Sequence, residues 1–274
     1  MYLVADVGGT KTLVALMTKS GEIKQKIKYP TPKEYSDFVD EFTTRTKPII
    51  KDVEMICLAI PGRIDREHGI GIAFGNLKWT DVEIDRDIEK STGVKTIVEN
   101  DSKVGGLAEA IEVLDIYKKT LYVAIGTGIG VALIQDGKIP KSLQGIEAGF
   151  MQFTRGGKNI EWEDFASGRA IKQRFGKEAR DITDEKTWAI IGKDIGQGLI
   201  ELIPVLQPEV IIIGGGIGTH FPKYKAALIK YLRRYETPMA PIPPIRQAKR
   251  PEEAVLVGCY YLIRQQDEKA NNKS

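Results

Sequence analysis

The chain has 274 residues, 42% of them hydrophobic and 28% charged, and a net charge of +3 from 40 basic and 37 acidic residues. This length allows one large domain or two small ones with a sizeable core. The small, scattered excess of positive charge argues against a nucleic-acid-binding surface, and no apolar run reaches membrane-spanning length.

The two cysteines and the N-terminal residues indicate the cellular compartment of the protein. Cys57 and Cys259 both lie in apolar stretches, which favours two buried free thiols over a disulfide or a metal pair. The first apolar run already carries Asp6 and Lys11, which is unlike a signal peptide. We therefore expect a cytoplasmic protein without a membrane partner.

The chain opens with a strand, a glycine turn and a second strand. An apolar run ends at Asp6, Gly8 and Gly9 follow, and a second apolar run starts at Leu13. Such a turn brings backbone N–H groups close to a phosphate, and Asp6 could hold magnesium or its water shell. The alternative is a plain hairpin that needs glycine for positive φ, which leaves the aspartate and the two threonines unexplained.

The next elements alternate between helix and strand. Apolar spacing predicts helices over 33–51, 84–92 and 102–114, with strands over 54–60 and 94–98. Gly93 is a suitable helix stop, and residues 75–79 read as a polar-aromatic loop. The second strand delivers Asn100 and Asp101 at its carboxyl end. Asp101 there could accept a hydroxyl proton during attack on phosphorus, or could simply cap the following helix.

A second strand, glycine turn and strand occupy residues 121–134, and their similarity to the opening suggests two related halves. The segment from Gly126 to Gly130 is not a dinucleotide fingerprint, because a strand follows it where that motif needs a helix. Glu147 and Glu163 come later, in or near glycine-containing segments. Carboxylates suit a ligand with vicinal hydroxyls, although a lone glutamate is more often solvated surface.

The rest of the chain again alternates between predicted helices and strands. We expect helices over 162–175, 186–206, 223–235 and 252–265, a strand over 210–213 and an extended proline-rich loop over 238–244. The glycines at 214–216 and 218 follow the strand and could host an adenosine or phosphate group, or form a plain turn. The two histidines, His68 and His220, fall in loops without metal-ligand spacing. The order predicts an α/β fold with mixed sheets and ligands at strand carboxyl ends.

Together these segments resemble the ROK family of sugar kinases, in the actin-like ATPase superfamily. Residues 6–12 and 126–130 look like the two phosphate motifs of that family, and residues 210–218 look like its adenosine motif. The segments that resemble its sugar-side motifs are Pro61-Gly62, Asn76-Leu77 with Trp79, Glu99-Asn100-Asp101, Glu147-Ala148-Gly149, and Glu163 with Ser167-Gly168-Arg169. They follow the family order over nearly the whole chain.

The resemblance implies a two-lobed actin-like (ribonuclease H-like) ATPase fold with mixed sheets and an interlobe cleft. Residues 1–103 with 252–274 would form the small lobe, and residues 104–251 the large lobe. It also implies ATP- and magnesium-dependent phosphorylation of a hexose, most often glucose at its 6-hydroxyl, by a homodimeric cytoplasmic enzyme of carbohydrate metabolism.

The resemblance assigns roles to individual residues. Asp101 would be the general base, and Asp6 would help to hold magnesium. The sugar would be bound by Asn76, Asn100, Asp101, Glu147 and Glu163. The nucleotide would be bound by Gly8, Gly9, Thr10, Lys11, Thr12, Gly126, Thr127, Gly128, Gly214, Gly215 and Gly216.

The chain departs from the family pattern in one region. Phe150 stands at the usual histidine position, and residues 155–161 contain no cysteine, so structural zinc is not expected. The lost histidine leaves open an N-acetylated hexosamine or another hexose as substrate, and a non-catalytic sugar or nucleotide sensor is a further alternative. The DNA-binding module of repressor members is not expected, because the first strand starts at residue 2 or 3.

Overall fold

The computed structural model describes residues 1–75, 77–250 and 253–271, with side chains described as far as residue 268. Its strands are β1 (Tyr2–Val7), β2 (Lys11–Met17), β3 (Ile23–Pro30), β4 (Met55–Ile60), β5 (Arg63–Asp65), β6 (Ile70–Phe74), β7 (Leu77–Val82), β8 (Thr96–Asn100), β9 (Lys119–Ile125), β10 (Ile129–Gln135), β11 (Gln152–Arg155), β12 (Lys158–Glu161), β13 (Val210–Gly214) and β14 (Ile245–Gln247). Its α-helices are α1 (Tyr35–Thr46), α2 (Ile84–Thr92), α3 (Asp101–Ile111), α4 (Glu163–Ala166), α5 (Gly168–Phe175), α6 (Glu185–Leu206), α7 (Gly215–Gly218), α8 (Phe221–Leu232) and α9 (Ala254–Asn271).

The chain divides into two compact units. Unit 1 contains Met1–Ala108 and the chain from Glu253 onward, and unit 2 contains Glu109–Glu252. The lobe boundaries that the sequence suggested stay a prediction. Within the described residues, no helix combines the length and the apolar character needed to cross a membrane.

Unit 1 is built on a five-stranded sheet in the order β3-β2-β1-β4-β8. The first three strands are antiparallel neighbours, while β4 and β8 run parallel to β1. Alternation along β1 sends Leu3, Ala5 and Val7 into one core with α1 and α2. It sends Tyr2 and Val4 into a second core with α9. A sheet covered on both faces explains why β1 reads as an unbroken apolar run.

Unit 1 also carries a small antiparallel sheet, β5-β6-β7, over part of the segment predicted as a loop. That prediction was wrong for Leu77 to Trp79, which belong to β7; Asn76 lies outside the described residues. Along β7, Leu77 and Trp79 are buried and Lys78 is exposed, which is the period of a strand with one covered face. The Trp79 ring packs on Phe38 of α1 at a centroid distance of 4.7 Å, and the burial of this ring holds the small sheet in place.

Unit 2 is built on a four-stranded sheet in the order β10-β9-β13-β14. The hairpin partner β10 is antiparallel to β9, and β13 runs parallel to it. Unit 1 has the same local arrangement in β2, β1 and β4. The inward residues of β9 share one core with α6 and α8. The predicted mixed α/β architecture is confirmed in both sheets.

One helix prediction and one loop prediction were wrong in detail. The helix predicted over 162–175 is divided into α4 and α5 at Ser167, whose extended backbone breaks the helix and whose side chain accepts the N–H of Ala170. Of the glycines predicted as a loop after residue 213, Gly214 ends β13, and the others belong to the short helix α7 (Gly215–Gly218). The predicted stop of α2 is confirmed, since Gly93 adopts a left-handed conformation with φ of 74°.

Candidate active site

The first glycine turn joins β1 to β2 in unit 1. The Gly8 N–H donates to the Lys11 carbonyl at 3.0 Å. Neither Gly8 nor Gly9 adopts a positive φ, so the backbone conformation does not by itself demand glycine there. Gly9, Thr10 and Lys11 are exposed. A plain hairpin that needs glycine for positive φ is therefore not supported. Gly8 instead permits close packing, since a Cβ there would lie 3.1 Å from the Lys11 carbonyl oxygen, and Gly9 leaves the backbone exposed.

Thr12 lies apart from this exposed surface. Its side chain is fully buried, and its hydroxyl shares a 2.9 Å hydrogen bond with that of Thr31. The Thr31 hydroxyl in turn donates to the Gly8 carbonyl at 2.7 Å. Thr12 thus stabilises the glycine turn through Thr31, whereas Thr10 is exposed.

Asp6 lies near the end of β1, beside Ala59 of β4. Burial raises the pKa of Asp6 to about 6, and the positive charge of Lys11 opposes this rise. A partly desolvated carboxylate gains stability from a bound cation, and Mg²⁺ usually takes one or two protein carboxylates together with substrate phosphates. Asp6 therefore fits a magnesium ligand. In the described ranges, no group of three or more His, Cys, Asp or Glu residues is arranged to hold a metal ion.

Asn100 and Asp101 lie at the junction of β8 and α3. The Asn100 side-chain oxygen accepts the N–H groups of Ser102 at 3.0 Å and Lys103 at 3.3 Å. Its amide nitrogen donates to the Gly62 carbonyl at 2.9 Å. Asn100, rather than Asp101, therefore caps α3. Asp101 is the first residue of the helix, where the helix dipole stabilises its negative charge.

A pair that the sequence analysis did not identify supports this junction. Glu99 is 3% exposed, and Nε of Arg66 donates to both of its carboxylate oxygens at 3.0 Å. The Glu99 carboxylate also accepts the N–H of Asn100 at 2.7 Å. A glutamate inside an apolar strand indicates a buried charge that needs a partner. The partner of Glu99, Arg66, lies 33 residues earlier in the chain, so the sequence alone does not identify it.

The second glycine turn joins β9 to β10 in unit 2. The Gly126 N–H donates to the Gly128 carbonyl at 2.9 Å. Glu163, at the start of α4, reaches this turn, and its Oε2 accepts the N–H of Ile129 at 3.2 Å. A Cβ at Gly128 would lie 2.5 Å from that Oε2 atom. The structure thus brings a predicted sugar-binding carboxylate into contact with a predicted phosphate turn.

The Glu147 segment packs at the same place. Residues Ala148–Phe150 form one turn of 3₁₀ helix, and the Phe150 N–H donates to the Glu147 carbonyl at 3.2 Å. A Cβ at Gly149 would lie 2.4 Å from the Ile129 carbonyl oxygen and 3.3 Å from Oε2 of Glu163. Gly149 therefore permits this close packing. The Phe150 side chain is 53% exposed.

Unit 2 contains a cavity of about 780 Å³ next to the second glycine turn. Three of the predicted nucleotide-binding residues line it, namely Gly126, Thr127 and Gly216. A Cβ at Gly126 or Gly216 would meet no atom within 4 Å, so these glycines leave open space. This volume is within the range of small-molecule sites.

The other two predicted adenosine-motif glycines have a packing role. A Cβ at Gly214 would lie 2.2 Å from the Tyr122 hydroxyl oxygen, and one at Gly215 would lie 2.5 Å from the Ile125 carbonyl oxygen. Gly215 also has a φ of 73°, which disfavours any other residue. Both glycines fit α7 against β9 and thereby position Gly216.

Three basic side chains also line the cavity: Arg169, Lys172 and Arg180. Arg169 was predicted only as part of a sugar-side motif, and the other two were not predicted as site residues. Arg169 and Lys172 lie three residues apart on α5, which places them on one helix face, and this spacing was readable in the sequence. Lys172 pairs with Glu178 at 2.6 Å and lowers the pKa of that carboxyl. Glu178 also lines the cavity, so three basic side chains face one acidic side chain there, and this excess of positive charge suits a phosphate-bearing ligand.

His220 also lines the cavity, at the amino-terminal end of α8. Burial and the nearby Lys223 lower its pKa, which favours the uncharged imidazole. Its ring lies 5.2 Å from the Trp188 ring. His220 was not predicted as a site residue, because its sequence neighbours fit neither a metal site nor a catalytic Ser-His-Asp or Cys-His arrangement.

The sequence and the fold of this chain are both similar to those of known proteins. A family model described as "ROK family" matches residues 2–266. The chain belongs to the ROK family. That match covers both glycine turns, the Asn100-Asp101 junction and all of the cavity residues named above.

Relatives of this ROK protein carry kinase names. The glucokinase of Halalkalibacterium halodurans is 25% identical over 315 aligned positions, which cover 97% of this chain and 96% of that protein. The N-acetyl-D-glucosamine kinase of Haemophilus influenzae is 24% identical over 303 aligned positions, covering 96% and 99%. Identity is nearly equal for the two, so it does not discriminate between their sugars.

Solved structures share the fold of this ROK protein. The ROK hexokinase from Thermus thermophilus has a TM-score of 0.78 and 27% identity, with 97% of this chain and 99% of that chain covered. A ROK family glucokinase from Streptomyces griseus, solved with glucose and AMPPNP, has a TM-score of 0.80 and 23% identity, with 96% and 99% covered. The fold class predicted from the sequence, that of the actin-like ATPases, is confirmed.

Proposed function

We propose that this ROK protein is an ATP-dependent sugar kinase that phosphorylates a hexose, with glucose at its 6-hydroxyl as the first candidate substrate. The observation that carries the proposal is the contact of Glu163 with the second glycine turn, which also lines the cavity in unit 2. A carboxylate suited to hydroxyl groups and a cavity suited to phosphates thus share one turn. Relatives named as glucokinases support the same reaction.

The proposed chemistry at the sugar depends on Asp101. This carboxylate accepts the proton of the attacking hydroxyl, while the Asn100 cap holds the start of α3 in position. Most of the hydrogen-bonding capacity of Asn100 serves the protein itself, so it can offer the sugar only its second amide N–H. Glu147 and Glu163 are proposed to accept hydrogen bonds from other hydroxyls, as is Asn76, which lies outside the described residues.

The proposed phosphate contacts come from the two glycine turns. The backbone N–H groups of Gly9, Thr10 and Thr127 are proposed to bind phosphate oxygens. The N–H groups of Gly8 and Gly126 instead donate within their own turns and hold the turns in shape. Asp6 is the proposed magnesium ligand, and a bound Mg²⁺ would neutralise phosphate charge. Phosphoryl transfer needs little covalent chemistry from the protein, so accurate positioning of the two substrates is what these residues contribute.

A second candidate function has its own observation. Phe150 places an exposed aromatic ring beside the Glu147 segment. An apolar ring offers a contact surface for the methyl group of an acetamido sugar, and a relative is named N-acetyl-D-glucosamine kinase. An N-acetylated hexosamine is therefore the alternative substrate.

The deciding experiment measures ADP release by the purified protein with Mg–ATP and a panel of sugars: glucose, mannose, fructose, N-acetylglucosamine and N-acetylmannosamine. Release that depends on glucose supports the first candidate, and release with the acetamido sugars supports the second. No release with any sugar from folded, ATP-binding protein would contradict both kinase proposals. That outcome would favour a non-catalytic sugar or nucleotide sensor.

A further inference from the structure

Arg169 joins two parts of unit 2 that the proposed function assigns to different substrates. Its Nη2 donates to Oε1 of Glu163 at 3.0 Å, and the same nitrogen lies 3.5 Å from Oδ1 of Asp164. Arg169 is also a lining residue of the cavity. A single guanidinium group therefore touches the proposed sugar carboxylate and faces the proposed nucleotide cavity.

Arg169 does not stabilise the helix in which it lies. It is the second residue of α5, where the positive end of the helix dipole disfavours a cation. Its side chain is 41% exposed, so the ion pair with Glu163 is well solvated and of small net strength. A guanidinium held so weakly can be recruited by a stronger anion.

Glu163, by contrast, is held firmly. Its side chain is 14% exposed, and its Oε2 is occupied by the Ile129 N–H. Its Oε1 is the oxygen that Arg169 engages. A sugar hydroxyl that binds Oε1 must compete with a charged partner, and a neutral hydroxyl is the weaker donor.

We propose, on the basis of the function proposed above, that Arg169 couples the two substrates by exchanging Glu163 for a phosphate of the nucleotide. When the nucleotide binds, the Arg169 guanidinium contacts its phosphate oxygens, and Oε1 of Glu163 is released to accept a sugar hydroxyl. Nucleotide binding thereby strengthens sugar binding, and by thermodynamic reciprocity the sugar strengthens nucleotide binding to the same extent. Arg169 is a positioning residue in this scheme.

The first test measures glucose affinity by calorimetry, with and without saturating Mg–AMPPNP. We expect AMPPNP to strengthen glucose binding to the wild-type protein about fivefold or more, the usual lower range of such coupling. In Arg169→Ala the two glucose affinities should be equal. Lys172→Ala is the matched control, because it removes one positive charge from the same cavity wall without touching Glu163, and it should keep the coupling. Equal coupling in wild-type protein and Arg169→Ala would overturn the proposal.

The second test separates the Arg169 contact from the kinase proposal. Arg169→Ala should weaken AMPPNP binding about tenfold, as expected for loss of a charge-assisted hydrogen bond, and leave adenosine binding unchanged. Unchanged AMPPNP binding would overturn the proposal even if the protein is an active sugar kinase. If no sugar supports ADP release, the kinase proposal and the coupling both fail, while a tenfold AMPPNP loss would still assign the phosphate contact to Arg169. Arg169→Gln serves as a second neutral variant if the alanine variant does not fold.

Discussion

Gly128 and Glu163 are in contact across the second glycine turn, because a Cβ at Gly128 would lie 2.5 Å from Oε2 of Glu163. The carboxylate approaches closely enough to accept the N–H of Ile129 at 3.2 Å. Since Gly128 does not adopt a positive φ, the requirement for glycine here comes from this approach and not from the backbone conformation.

Gly128→Ala should displace the Glu163 carboxylate and raise KM for the sugar about tenfold, with little loss of thermal stability. The stability cost should be about 1 kcal/mol, because the displaced carboxylate gives up the hydrogen bond from the Ile129 N–H while the backbone stays in place. Gly126→Ala is the matched control in the same turn, since its methyl group enters the cavity and should raise KM for ATP instead. Steady-state kinetics on both substrates would separate the two effects, and identical changes in the two variants would contradict this assignment.

Asp101→Asn should lower turnover by roughly 10²- to 10⁴-fold, the usual contribution of a general base, and leave sugar affinity nearly unchanged. The helix cap should survive, because Asn100 supplies it. ADP release and sugar binding would be measured on the same preparation. Near-normal turnover of the variant would show that another group accepts the proton.

Asp6→Asn should change the dependence of stability on pH. Burial raises the folded-state pKa of Asp6 from 3.8 to about 6. The folded state therefore holds the proton more tightly than the unfolded state, and the wild-type protein loses stability as the pH rises from about 4 to about 6. The variant lacks this loss, so its advantage should grow over that range to roughly 2–3 kcal/mol, because a tenfold change in proton affinity corresponds to about 1.4 kcal/mol. Urea unfolding at pH 4, 5, 6 and 8 tests this, and a constant difference between the proteins would contradict it.

Arg66→Ala should destabilise the protein by about 3 kcal/mol, because it leaves the buried Glu99 carboxylate without its charged partner. Replacing Glu99 by Gln in the same chain should recover part of that loss, since no buried charge then remains. The free energies of unfolding in urea of the wild type, the two single variants and the double variant form a double-mutant cycle. Simple additivity of the two substitutions would mean that the residues do not interact in the folded state.

The sequence was a good guide to elements with a strong periodic pattern and a chemical stop. The helix α2 was predicted at its observed bounds, because its apolar residues repeat regularly and Gly93 ends it. The break at Ser167 was missed, since α4 and α5 both continue the helical spacing and only the backbone conformation of Ser167 divides them. The strand β7 was missed because its turn residues and its aromatic residue were read together as a loop.

The candidate site was also predictable only in part. Local motifs were sufficient to single out both glycine turns and the Asn100-Asp101 junction. The packing roles of the glycines within those motifs could not be predicted, because they depend on elements that are distant in sequence. Gly216 faces open space, whereas Gly214 packs against the ring of Tyr122. The cap of α3 was likewise assigned to Asp101 as an alternative, while the hydrogen bonds assign it to Asn100.

The family and the fold class could be predicted from the sequence alone, because both depend on residue types in a fixed order along the chain. Which side chains contact one another could be read only from the three-dimensional packing. The contact of Glu163 with the second glycine turn spans 34 residues, and the pairing of Arg66 with Glu99 spans 33. Such pairs are created by the packing of separate strands and helices, and no local pattern encodes their distance.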